Sequence, residues 1–198
     1  MAIIVDKLQK RIDIALACKG LFIENEINKV TIAQIAKTAG IGKGSVYDYF
    51  KNKEDVVFEI VNILMNQHDA SKRTAMASMC TTKEKIKIFF NIFYDVDDLD
   101  LRHLYKVFIS VALTQPNQEM ITFQSQCFQN YCTWFETIIQ EGIDKNEIIP
   151  ESLKLVKGLM VMGEGMFIAS SATTVINDIE KEINTYIDVL FELIEVKQ

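Results

Sequence analysis

Proline is scarce in this 198-residue chain: Pro116 and Pro150 are the two occurrences, each set between long periodic runs. Alternating apolar–polar stretches are few as well, which argues against a sheet protein and for an all-helical one. No stretch reaches the roughly 18–20 consecutive apolar residues of a membrane span. The opening residues Met1 to Lys7 lack the charged leader and long apolar core of a signal peptide. The four cysteines, Cys18, Cys80, Cys127 and Cys132, have no zinc-ligand spacing, so buried free thiols in a cytoplasmic protein are expected. A glycine-rich phosphate loop and a metal motif are also lacking, and no histidine lies near Cys127 or Ser170 in sequence. An enzyme is therefore not expected, and neither is a cofactor. His68 and His103 have no sequence partner that would suggest a metal site. The acidic run Asp95–Asp100 lacks the central glycine and distal glutamate of a calcium loop, and reads as a solvated turn that caps the next helix.

What is present is globular: 49% hydrophobic and 24% charged residues, with a formal charge of -6. That charge is divided unevenly. Residues 1–55 hold nine Lys/Arg against seven Asp/Glu, giving +2, while residues 56–198 hold twelve against twenty, giving -8. A weakly basic head on an acidic body fits a nucleic-acid reader. Apolar spacing predicts about nine helices. The first runs over 5–24 and carries Ile12, Ala15, Cys18, Leu21 and Phe22. Thr31 caps the second, which Ala39-Gly40 stops. A short third helix holds Ser45 to Tyr49, with Val46 and Phe50 facing inward. Asn52 caps a fourth that continues to about residue 78. Thr82 opens the fifth, and the sixth spans about 101–114 until Pro116 breaks it. The seventh runs over about 117–142 with Gly142 as its C-terminal glycine, the eighth over 151–172, and the ninth from Asn177/Asp178 almost to the end. We see no repeat and no linker. A boundary near residue 50 divides a head, 1–50, from a body, 51–198, and falls where the fourth helix begins, so the two parts are expected to move as coupled bodies.

The head carries the most specific pattern. Gly40, Gly42 and Gly44 fall within five positions between two short apolar helices, as in a helix-turn-helix. Ala17 with Leu21-Phe22, Thr31-Ile32, Ile35-Ala36, Ala39-Gly40, Lys43-Gly44-Ser45, Val46-Tyr47, Tyr49-Phe50 and Asn52-Lys53-Glu54-Asp55 together resemble the tetracycline-repressor (TetR/AcrR) family of bacterial transcription regulators. The chain departs from that pattern at Asn25-Glu26, where the family usually has glycine. Asn25 is expected to take a left-handed turn conformation instead.

The resemblance implies a homodimer on a near-palindromic double-stranded operator, each recognition helix in a major groove, half-sites roughly 34 Å apart. It places Lys43, Gly44, Ser45 and Tyr47 nearest the bases and Thr31, Tyr49 and Lys53 on phosphates. It also implies a repressor released by a small-molecule effector that shifts the fourth helix; an activator or interaction protein without effector is the alternative. Aromatic and methionine side chains suit an apolar or aromatic effector. Phe89, Phe93, Tyr105, Phe108, Phe123, Trp134, Met160 and Met166 are candidates to line its cavity, with ordinary core packing as the competing role. The last two helices are the expected dimer interface, through Gly158, Met162, Gly165, Met166, Ile183, Ile187, Leu190 and Ile194, with packing inside one chain explaining part of the pattern equally well. No membrane partner is expected.

Overall fold

The structure, a computed structural model, describes residues 2–114 and 117–197, with side chains from residue 7 onward. Pro116, the expected helix breaker, lies outside the described residues. The fold is all-α. Ten α-helices occur among the described residues: α1 Ala2–Ala17, α2 Lys19–Glu24, α3 Ile32–Thr38, α4 Lys43–Val46, α5 Lys53–Ala77, α6 Thr82–Phe90, α7 Leu99–Thr114, α8 Gln118–Asp144, α9 Val156–Ala172 and α10 Ile179–Ile194. The expected first helix accounts for the difference in number, because it divides at Cys18 into α1 and α2. Single-turn 3-10 segments precede α3 and α7 and follow α6, and a six-residue one, Pro150–Leu155, precedes α9.

Helix ends follow local chemistry. Thr31 and Thr81 each form a capping box, with Gln34 and Glu84 respectively. The residue that caps α6 is thus Thr81; Thr82, one position on, is buried in its first turn. Gly40, at φ 66°, ends α3 in a Schellman motif: its N–H bonds Lys37 O, and the Ile41 N–H bonds Ala36 O at 3.0 Å. Two expectations fail here. Asn25 is extended, at φ -131°, and its side-chain amide donates to Leu21 O at 2.9 Å, so it closes α2 without a left-handed turn. Gly142 does not end α8 but sits buried inside it, where a Cβ would meet Thr82 Oγ1 at 2.5 Å. The left-handed residue after α8 is Asn146, at φ 58°.

Two compact units make up the chain: Met1–Gln67 with Asp100–Ile121, and His68–Leu99 with Thr122–Gln198. Helix α5 thus contributes its first turns to one and its last turns to the other. In the first unit Ile14, Ala15, Cys18, Phe22, Ile35, Val46, Phe50 and Val56 are all buried. In the second, Ile86, Phe90, Phe135, Ile139, Ile183 and Ile187 form the centre of the core. The acidic turn before α7 is not uniformly solvated, because Asp98 is buried beside His68 and Lys72. Nor are all the thiols buried. Cys18 and Cys132 are, Cys127 is half-buried and Cys80 is exposed. Residues 150–172 form a helical segment long and apolar enough, by length and composition, to cross a membrane, which the run-length reading of the sequence did not register. It is α9 with its preceding turn, and its outer face is left bare.

Candidate nucleic-acid interface

The head is built so that a four-residue helix stands proud of a firm base. Val46 and Phe50 are buried on one side of the turn, which holds α4 against α3. That leaves Lys43, Gly44 and Tyr47 on the surface, Tyr47 with 57% of its area exposed. A Cβ at Gly44 would meet nothing within 4 Å, so the open space there suits the close approach of a large partner. Ser45 is half-buried.

The three expected phosphate residues differ in how free they are. Thr31 is exposed, but its hydroxyl and N–H serve the capping box with Gln34. Lys53 donates to Asn28 O at 2.9 Å, so its ammonium is engaged in closing the turn before α3. Tyr49 is half-buried, with Lys7 Nζ 6.0 Å from its ring centroid.

Arg11 holds this arrangement, and sequence reasoning passed over it. From α1 it donates Nη2 to Asp55 at 2.8 Å and Nε to Glu59 at 2.9 Å, hydrogen-bonds Tyr49 O, and stacks over Phe50 at 4.3 Å. One guanidinium therefore ties α1, the turn after α4 and the first turns of α5. Burial opposes ionisation of Asp55, but hydrogen bonds from Arg11 and the Lys51 N–H outweigh it and hold that carboxyl below the usual range. Burial likewise works against the Arg11 charge, but Asp55 and Glu59 outweigh it and raise its pKa. The signal available in sequence was the Asp55/Glu59 pair, four apart on a helix and needing a cation. Asn52 caps α5 as expected, its Oδ1 accepting the Asp55 N–H at 2.8 Å, and its amide reaches Glu119 at 3.0 Å.

The aromatic candidates fall in two places. Phe108 is buried in the first unit against Phe58, with centroids 5.8 Å apart, and Tyr105 is half-buried on the same helix. In the second unit Phe89 meets Trp134 at 5.1 Å, and Phe93 meets Phe167 at 5.8 Å. Met160 is buried there, while Phe123 and Met166 are half-buried. Of the residues expected at a dimer interface, Ile183, Ile187 and Ile194 lie in the chain's own core, and Met162, Met166 and Leu190 pack against it. Gly158 and Gly165 are exposed. The sequence also missed the apolar side chains that α9 and α10 do present outward: Val161, Ile168, Tyr186, Val189 and Leu193.

Comparison with known proteins fits this geometry. The family described as bacterial regulatory proteins, tetR family, matches residues 15–60. A fatty acid metabolism regulator protein of Bacillus subtilis is 28% identical over 142 residues, 72% of each chain. Among solved structures, a TetR-family regulator from Cytophaga hutchinsonii superposes with a TM-score of 0.80 at 17% identity, covering 98% of both chains. A transcriptional regulator from Saccharomonospora viridis in complex with choline gives 0.75 at 14% identity, covering 96% of this chain and 99% of that one.

Proposed function

The chain belongs to the tetR family of bacterial regulatory proteins and is a DNA-binding transcriptional regulator, not an enzyme; from that premise we propose a cytoplasmic, homodimeric repressor that a small ligand releases from its operator. The observation that carries the reading is the exposed Lys43–Gly44–Ser45–Val46–Tyr47 segment, set on buried Val46 and Phe50 and clamped through Arg11. Lys43 and Tyr47 reach base edges and their flanking phosphates, and Gly44 lets the backbone come close. Thr31 and Tyr49 position the head on phosphate, and Lys53 does so only by leaving Asn28. Residues 1–50 are the reading head, and residues 51–198 carry the effector and the dimer contacts.

The outward faces of α9 and α10 support a dimer. Val161, Ile168, Val189 and Leu193 are 42–75% exposed, and a second copy of the same two helices would cover them in a four-helix arrangement. Exposed Gly158 and Gly165 would let the helices approach closely. The effector is a small, mostly apolar molecule held among the aromatic side chains of the body.

The test is binding of the purified dimer to DNA from upstream of its own gene, followed by fluorescence anisotropy at several salt concentrations. Specific binding is expected, with affinity that falls as salt rises. The Lys43→Ala/Tyr47→Ala double variant should lose most of it while remaining dimeric. Equal affinity for operator and unrelated DNA would refute the reading.

A further inference from the structure

The second unit contains a polar cluster that the DNA-reading function does not use. His68 and Lys72 stand one turn apart on α5, so they share a face. Both are nearly inaccessible, at 3% and 5%, and Asp98 is 7% exposed. His68 Nδ1 lies 2.9 Å from Asp98 Oδ1. Lys72 Nζ is 2.5 Å from Asp95 Oδ2 and 3.4 Å from Asp98 Oδ2. The other ring nitrogen, His68 Nε2, is buried with no hydrogen-bond partner among the described residues, and so is Asn91 Oδ1. Buried polar atoms of folded proteins are nearly always paired, so an orphan on a side chain this deep marks a place for something else.

The surroundings define what that is. Tyr131 and Trp134 lie 6.2 and 6.4 Å from the His68 ring, and Phe89 packs on both. Asp98 as a carboxylate can only accept, so Nδ1 carries the proton, and in the neutral form of the ring Nε2 is left as an acceptor. The charged groups around the ring are Asp69, Asp95 and Asp98 against Lys72 and Arg73, one more carboxylate than cation. Burial, and then the Asp69 and Asp98 carboxylates, push the Tyr131 hydroxyl above its ordinary range, as a negative local field should. An acceptor nitrogen, aromatic walls and a negative field favour a cationic donor and disfavour an anion.

We propose that His68 Nε2 anchors a ligand in the second unit, accepting a hydrogen bond from a protonated amine whose apolar body lies against Tyr131, Trp134 and Phe89. This rests on the effector reading above and gives that effector a head group.

Trp134 is the chain's single tryptophan and stands beside His68, so its fluorescence reports occupancy. The probes are 4-phenylbutylamine and 4-phenylbutyrate, which share a body and differ in the sign of the head, titrated into the intact dimer. Saturable binding of the amine is expected, with the acid weaker by about tenfold or more, the worth of a charge-assisted hydrogen bond. His68→Phe should lose that preference, and His68→Gln, which keeps an acceptor, should recover part of it. Absence of saturable amine binding, equal or tighter binding of the acid, or an unchanged preference in His68→Phe would overturn the proposal. If a variant fails to fold, the amine–acid comparison on the natural chain still decides. Operator binding by the natural chain without amine binding would refute the anchor alone, whereas absence of operator binding would refute the regulatory reading beneath it.

Discussion

Adding a single methyl group at Gly163 tests how tightly the body is packed. A Cβ there would lie 2.6 Å from Phe93 Cε2 and 2.9 Å from both Phe90 Cδ1 and Cε1. Carbon atoms rest at about 3.5–4.0 Å, so a ring must retreat by roughly 1 Å. Phe90 has no room to do so: it is fully buried, 5.4 Å from Phe135 and 5.4 Å from Phe89, and stacked on Phe93 at 6.3 Å. Overpacking of this kind costs about 2–3 kcal/mol, and the better helix propensity of alanine returns about 1. Gly163→Ala should therefore destabilise by about 1–2 kcal/mol. Gly20→Ala is the reference, since Gly20 is exposed in a helix and a Cβ there meets nothing within 4 Å; it should stabilise by about 0.5–1 kcal/mol. Urea unfolding at one fixed protomer concentration reads both as midpoint shifts of opposite sign at unchanged slope. If Gly163→Ala matched Gly20→Ala in sign, the Phe90 and Phe93 rings would have room to yield, and tight packing at α9 would be refuted.

Three further outcomes follow from particular contacts. Arg11→Met keeps an apolar stem over Phe50 but leaves Asp55 with only the Lys51 N–H and takes the cation from Glu59 and a donor from Tyr49 O; it should cost about 1–2 kcal/mol at this partly buried site and weaken operator binding in anisotropy without altering the dimer. Because the folded Asp55 pKa lies below the ordinary value, its contribution is fully present above the unfolded carboxylate pKa of about 3.9 and disappears as pH falls through the lower folded value. Stability measured from pH 6 down should fall below about pH 4, less steeply in Asp55→Asn, and an unchanged profile in that variant would exclude this pair as a source of acid sensitivity. Finally, Leu193→Glu on the outward face of α10 should shift the protein to monomer by light scattering with its helix content intact. Ile187→Ala, on the buried face of the same helix, should instead lower stability by about 2–5 kcal/mol.

The head was legible because its determinants are local. A threonine cap with glutamine three residues on, a left-handed glycine and an apolar pair at Val46 and Phe50 all act within a few positions of one another. Such signals survive in one dimension. The long-range contacts are a different matter: in the head Arg11 reaches partners 44 and 48 positions away, and in the second unit His68 meets Asp98 across 30. No spacing rule connects them, although each leaves a trace as an acidic or polar pair one helical turn apart. Gly142 misled for a related reason. A glycine near a helix end suggests a cap, but here a buried threonine from α6 demands the missing side chain.

The last two helices show where periodicity itself fails. It distinguishes the inner from the outer face of a helix only when one of them is polar. On α9 both faces are apolar: Leu159, Met160 and Phe167 are buried, while Val161 and Ile168 are exposed. Such a helix is apolar on both sides, and its sequence cannot say which stripe packs inward. Ile183, Ile187 and Ile194 accordingly looked like interface residues and turned out to be core. The same physics explains why the segment 150–172 passes a composition test for a membrane span. An apolar surrounding would satisfy its outer face, but so would a partner helix with matching small residues at Gly158 and Gly165. The second solution also accommodates Lys157 and Glu164, which lie within the same helix and would be costly in hydrocarbon. Two charges on an otherwise apolar helix thus favour a protein neighbour over a lipid one.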